Sequence, residues 1–162
     1  MCRRCGGTNV VFLEAIQSTA RVRYAAEVGQ RIPIHATASG QAILSQWPEA
    51  QRAALLRKVV FEHYGSGTPM SVDAVDDQIR AGLHRGWFRS ASSYSVDLGG
   101  VALPISAAGR VYSVTVAGPL NRVESIMPAI AREMHDAVGR HFGPDYLRTE
   151  IKGITTPPRD KI

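Results

Sequence analysis

The order of elements legible in this sequence predicts an α+β domain, a mainly antiparallel central sheet flanked by helices. Two strand-like segments open the chain, three helix-like segments follow as a run, and three strands and a last helix close it. Strands in runs, with helices in runs between them, favour α+β packing. A doubly wound nucleotide fold would alternate strand and helix and carry a glycine-rich phosphate turn after its first strand. Neither pattern is present.

Each element has its own local reason. Residues 10–16 are β-branched and aromatic, which reads as a strand. Gln17, Ser18 and Thr19 turn, and residues 20–26 alternate Arg21 and Arg23 with Val22 and Tyr24, as the second arm of a hairpin would. Gly29 and Pro33 break the pattern. Residues 38–47 read as a short helix with Ala42, Ile43 and Leu44 inward. Pro48 stops it and can open the next, over 49–60, because proline is tolerated at the first helical position. Residues 63–68, with Gly65 and Gly67, form a loop.

Residues 71–86 give the clearest helix. Ser71 is a good N-cap, acids gather near its start, and His84 and Arg85 near its end. Val72, Val75, Ile79 and Leu83 make one apolar stripe, and Gly86 suits a left-handed C-terminal position. Strands are expected over 87–92, 101–105 and 111–117, the last two joined by a hairpin turn at Ala107-Ala108-Gly109. Asn121 with Glu124 resembles a capping box opening a helix to about Phe142. Pro128 inside it means that the first turn is irregular or that the regular helix starts there. The expected division is a tail over 1–9, one domain over 10–143 and a loose tail over 144–162.

Composition narrows the function classes. The 162 residues carry 19 Lys plus Arg against 14 Asp plus Glu, a net charge of +5. No run of five like charges exists, whereas DNA-reading modules concentrate charge on one face. No apolar run reaches the ~18 residues of a membrane span, so no membrane partner is expected. Arg3 and Arg4 are not followed by the apolar stretch of a secretory signal, and a cytoplasmic location is expected. Cys2 and Cys5 form a C-x-x-C, but a structural zinc site needs four ligands and there is no second cysteine pair. His135 and His141 are six apart and do not share a helix face. The expectation is no metal, no cofactor, and two free thiols in a fraying terminus.

One segment is more specific. From Gly29 the chain reads G-Q-R-I-P-I-H-A-T-A-S-G-Q-A-I-L. It resembles the start of the effector-binding domain of IclR-family transcription regulators, close to V-G-x-x-x-P-L-H-A-T-A-x-G-K-A-L-L-A. The pattern is met at Val28, Gly29, Pro33, His35, Ala36, Thr37, Ala38, Gly40 and Ala42, while Gln41 stands where the family has Lys. Arg85-Gly86-Trp87 resembles the family's R-x-x-G-[YW] helix end. Val101-Ala102-Leu103-Pro104-Ile105 resembles its c-[IL]-A-x-P-[IV] strand. Val114 to Pro119 resembles its S-[IVL]-S-G-P strand. The matches run in register over about 10–143.

The resemblance implies a GAF-like domain that binds a small organic acid, carboxylic or aromatic, and forms a homodimer or homotetramer. In the family a separate winged helix-turn-helix domain contacts DNA. These residues contain none, so DNA binding is expected only through a domain not present here, and the first strand of the effector domain looks clipped. The implied ligand site joins the helix start at Thr37, Ala38, Ser39 and Gly40 to strand positions Ser90, Ser92, Ser93, Gly100, Val101, Ala102, Thr115 and Ala117. Free backbone N–H groups at a helix start attract an anion, and plain N-capping by Thr37 or Ser39 is the bland alternative. The hydroxyl-rich stretch 90–95 stands where many family members place acids, Thr115 matches a family hydroxyl, and Ala117 has lost the second. That lining suits a mono-acid with an apolar or aromatic body.

Two other classes compete with this one. A hydrolase would use Ser39 as nucleophile, His35 as base and Asp97 as orienter. The G-x-S-x-G elbow is missing, because position 37 is Thr, and the reading is not an enzyme. A small-molecule-binding or interaction module without a DNA role would present Met127, Ile130, Met134 and Val138 to a partner, although such a stripe more often faces the core.

Overall fold

The computed structural model describes residues 1–5, 7–21, 23–143 and 146. Its elements are β1 (Cys2–Cys5), β2 (Asn9–Phe12), β3 (Arg31–Pro33), α1 (Ala38–Ser45), α2 (Glu49–Leu56), α3 (Val72–Arg85), β4 (Phe88–Ala91), β5 (Leu98–Ala107), β6 (Arg110–Pro119), α4 (Leu120–Val123), a 3-10 turn (Glu124–Ile126) and α5 (Met127–Phe142). The strands form one sheet in the order β3-β2-β1-β6-β5-β4. Every pair of neighbours is antiparallel.

The sheet corrects the N-terminus. Residues 1–9 are not a tail: β1 lies inside the sheet, with Cys2 opposite Phe12 on one side and Ser113 on the other. The sequence Cys-Arg-Arg-Cys has no β-branched or aromatic residue, so its strand state comes from its two partners rather than from propensity. The hairpin expected over 10–26 is also absent. β2 ends at Phe12, its partners are β1 and β3, and the described residues of 13–30 form no strand. Arg21, Arg23 and Tyr24 alternate, but all three are exposed, so the alternation has no buried face to serve.

Elsewhere local signals hold. Ser71 Oγ accepts from the Ala74 amide and Gly86, at φ +84°, closes α3 in the left-handed region. Ala108 and Gly109 link β5 to β6 with φ of 49° and 70°. Positive φ at both central residues is the twist-matched two-residue hairpin turn. The regular last helix starts at Met127 with Pro128 in its first turn, and no side chain caps it, so the Asn121–Glu124 capping box does not form. Helix α2 stops at Leu56, short of the expected 60.

Two apolar clusters sit on the two sheet faces. Ala42, Ile43 and Leu44 of α1 and Val75 and Ile79 of α3 pack with Val10, Ile32, Phe88 and Ala102. On the other face Met127, Ala131, Met134 and Val138 of α5 pack with Val101, Leu103 and Ile105. The α5 stripe is therefore turned inward. Of residues 144–162, expected as a loose tail, only Tyr146 is described. It is buried in the second cluster, its hydroxyl 2.5 Å from His135 Nδ1.

Candidate functional site

The start of α1 is built by its own loop. Thr37 sits in extended backbone, accepts the Gly40 amide at 3.1 Å and donates its hydroxyl to the Pro33 carbonyl at 3.1 Å. One helix-start N–H is thus capped by Thr37, as the bland alternative held. Gly40 has a different role from the one expected. A Cβ there would lie 1.8 Å from the Ile34 carbonyl oxygen. Its missing side chain lets α1 pack on the backbone before it and does not open room for a ligand.

The fold brings the helix start onto the late strands. Ser39, almost fully buried, places its hydroxyl 2.8 Å from that of Thr115 on β6. The cross-strand row Phe88–Ala102–Thr115 lies beside the row Ser90–Gly100–Ala117. Directly opposed residues share a face, and Ala102 packs with α1, so both rows face that helix. A Cβ on Gly100 would meet Ser90 Oγ at 3.0 Å and Ala117 Cβ at 3.8 Å, which makes this end of the face a patch of small side chains.

Three expected residues are placed otherwise. Val101 packs against α5 on the opposite face and lines nothing near Ser39. Ser92 is a turn residue at φ 50°, and its hydroxyl donates to the Val96 carbonyl. Ser93 Oγ donates to the Gly67 carbonyl at 3.0 Å, while its own carbonyl accepts Thr68 Oγ1 at 2.6 Å. The Ser93 and Thr68 hydroxyls tie the 65–68 loop to the end of β4.

Cys2 joins this neighbourhood without having been expected there. It is fully buried opposite Ser113, on the same face as Thr115. Burial pushes its thiol up, against the hydroxyls of Ser39 and Ser113, which favour the thiolate. Only strand pairing reveals it, so the C-x-x-C spacing gave no signal.

His35 stands two residues before Thr37, buried edge-on against Phe61 with centroids 5.2 Å apart. Desolvation lowers its pKa, partly offset by the backbone and carboxylate of Glu62. Neither ring nitrogen makes a well-formed hydrogen bond, so His35 is not bonded to Ser39, and Asp97 is exposed. The Ser-His-Asp arrangement is not assembled. Tyr64 beside it donates to Glu62 at 2.7 Å, and its pKa is pushed up to about 12, by burial first and Glu62 second.

One cavity of about 280 Å³ opens beside His35, Lys58, Glu62 and Tyr64, and another of about 260 Å³ lies at the far end of α1 near Trp47. Neither is lined by Ser39 or Thr115. Among the described residues no three His, Cys, Asp or Glu side chains gather as a metal site would need. No helix among them is long and apolar enough to cross a membrane.

Comparison with known proteins gives one consistent family. The family described as "Bacterial transcriptional regulator IclR C-terminal" matches residues 4–140. The acetate operon repressor of Salmonella typhimurium is 27% identical over 115 residues, covering 70% of this chain and 42% of that protein. The HTH-type transcriptional regulator KipR of Bacillus subtilis is 26% identical over 134 residues, covering 81% and 54%. The chain thus spans about half the length of these relatives. Among solved structures, the Thermotoga maritima IclR superposes with a TM-score of 0.76 at 18% identity, over 88% of this chain and 60% of that one. An IclR homolog from Microbacterium hydrocarbonoxydans, complexed with 4-hydroxybenzoate, superposes with a TM-score of 0.66 at 24% identity, over 82% and 55%. At these identities the structural likeness speaks for the fold, a GAF-like α+β domain.

Proposed function

The chain belongs to the bacterial IclR transcriptional regulators, as their C-terminal domain, and we propose that it senses a small organic acid and oligomerises. DNA contact then belongs to a separate helix-turn-helix domain, and the setting is cytoplasmic. The observation that carries the reading is the Ser39–Thr115 contact. It joins the helix start of the family-like segment to the small-residue rows of β4, β5 and β6. A carboxylate at Ala38 and Ser39 would meet amide donors and the positive end of α1. The small side chains of Ser90, Gly100, Ala102 and Ala117 would form the wall for an apolar or aromatic body. The 4-hydroxybenzoate held by one structural relative is an acid of this class.

A panel of keto acids, benzoates and nucleotides at millimolar concentration tests it by thermal shift. A ligand at ~100 times its Kd adds about 2.7 kcal/mol, which is roughly 5–11 °C for a domain of this size. An acid that raises the melting point supports the reading. Shifts from nucleotides alone would refute it. Sedimentation across a concentration series tests oligomerisation, and a monomer throughout would remove that part.

A further inference from the structure

The cavity beside His35 lies where the end of the β2–β3 pair meets the segment after α2. Asn9 opposite Pro33 is the last rung of that pair, and just beyond it the Thr8 carbonyl accepts the Ile34 amide at 3.0 Å. Val59 and Phe61 pack against the first core cluster, which leaves their neighbours Val60 and Glu62 outward and exposed. The His35 ring lies 5.2 Å from that of Phe61 and 6.0 Å from that of Tyr64. Tyr64 donates its hydroxyl to Glu62 Oε2 at 2.7 Å. Imidazole, phenol and carboxylate are thus linked contact by contact along one wall, and Lys58 lines the cavity with them.

Two features of this wall point to a ligand. Lys58 and Glu62 carry opposite charges on the same cavity, yet among the described residues neither is in an ion pair. Beneath them His35, 1% exposed, has no well-formed partner at either ring nitrogen. A buried polar group short of hydrogen bonds costs free energy, so the floor of the cavity favours a polar occupant. A lone anion would meet the Glu62 carboxylate, and a lone cation the Lys58 ammonium. An apolar body would strip water from both charges and replace it with nothing. A molecule carrying both charges meets none of these penalties.

We propose that this cavity is a second ligand site, separate from the Ser39–Thr115 region, for a small zwitterion of the α-amino-acid class. At pH 7 such a molecule carries both charges at once. Its carboxylate pairs with Lys58, and its ammonium with Glu62, which the Tyr64 hydroxyl holds in place. Both contacts are charge-assisted hydrogen bonds. About 280 Å³ falls just under the roughly 300–1,000 Å³ of drug-sized sites. That limits the ligand to a small side chain, laid against Val59 and Val60. The inference does not depend on the organic-acid reading, because it uses none of those residues.

L-Alanine, propionate and ethylamine are close in size and differ in the charges they carry, so together they test it. Each is titrated into the full chain and followed by NMR at the Asn9 and Tyr64 amides. Saturable shifts at both are expected with alanine, and affinities about tenfold weaker or worse with the other two, each of which lacks one charged contact. Lys58→Met and Glu62→Gln, both at exposed positions, should each weaken alanine binding about tenfold, and Lys58→Arg less. Circular dichroism confirms that the variants fold. Propionate or ethylamine binding as tightly as alanine would overturn the site, because one charge would then suffice. Alanine shifts that do not saturate, that survive both variants, or that fall only at Ser39 and Thr115 would overturn it as well.

Discussion

Ser39 and Thr115, 76 positions apart in sequence, place their hydroxyl oxygens 2.8 Å from each other. One belongs to the first turn of α1 and the other to β6, so the bond measures how α1 sits on the sheet. A part-buried pair of this kind contributes about 1 kcal/mol net, and truncating one partner costs roughly 1–3 kcal/mol because the other is left unpaired. Ser39→Ala and Thr115→Val should each destabilise by that amount. The double variant should be less unstable than the sum, with a coupling of about 0.5–3 kcal/mol. Urea unfolding of all four proteins checks it, and strict additivity would show that the two hydroxyls do not interact. In the organic-acid reading, the same single variants also lower acid affinity when folded.

Gly40 lies in a steric trap. A Cβ added at this position would sit 1.8 Å from the Ile34 carbonyl oxygen, so even Gly40→Ala must push α1 off its seat. Overpacking in cores typically costs 1–3 kcal/mol, occasionally more, and a rigid backbone neighbour places this variant at roughly 3 kcal/mol or above. A melting point within a degree or two of the parent would show that α1 moves freely.

Burial separates two ion pairs of similar length. Arg52 Nε reaches Asp76 at 2.6 Å with both side chains nearly covered, tying α2 to α3. Arg80 reaches Asp77 at 2.7 Å with both largely exposed. Removing one partner of a buried pair strands the other charge, which costs roughly 3–5 kcal/mol. Exposed pairs contribute little. Arg52→Met should therefore cost several kcal/mol, and adding Asp76→Leu should recover much of it. Arg80→Gln should be nearly silent. Equal losses from Arg52→Met and Arg80→Gln in denaturant unfolding would reverse this ranking.

Helix α3 was legible because its signals are local: a Ser71 cap, an apolar stripe and a left-handed glycine all act within a turn or two. The β5–β6 turn was legible for the same reason. β1 was not, because Cys2 to Cys5 are held by partners on β2 and β6 that no short window contains. At the site, Thr37, Ser39 and Thr115 were reached through the family pattern, and the fold brings Ser39 and Thr115 together. Val101 could have been excluded from the sequence alone. Gly100, Val101 and Ala102 are consecutive in a strand, so the pleat must turn the middle one to the opposite face. Ser93 required knowledge of the 65–68 loop, which reaches it from about 25 residues away, and Ser92 of the turn that carries its hydroxyl to Val96.

Two buried groups bound the pH range of stability from opposite sides. Burial lowers the pKa of His35 below its ordinary 6.5. Between the folded and unfolded values the unfolded chain binds the extra proton, so stability rises with pH there and falls as the pH drops below about 6.5. Glu62, the charge named beside the ring, favours protonation and moderates the effect without reversing it. Burial raises the pKa of Cys2 above its ordinary 9.0. There the unfolded chain loses its proton first, so stability falls as pH climbs past about 9. Melting temperatures from pH 5 to 10 should trace a plateau with two shoulders. His35→Phe should flatten the acid shoulder and leave the alkaline one, and Cys2→Ala should do the converse. An acid shoulder undiminished in His35→Phe would place that titration on another group.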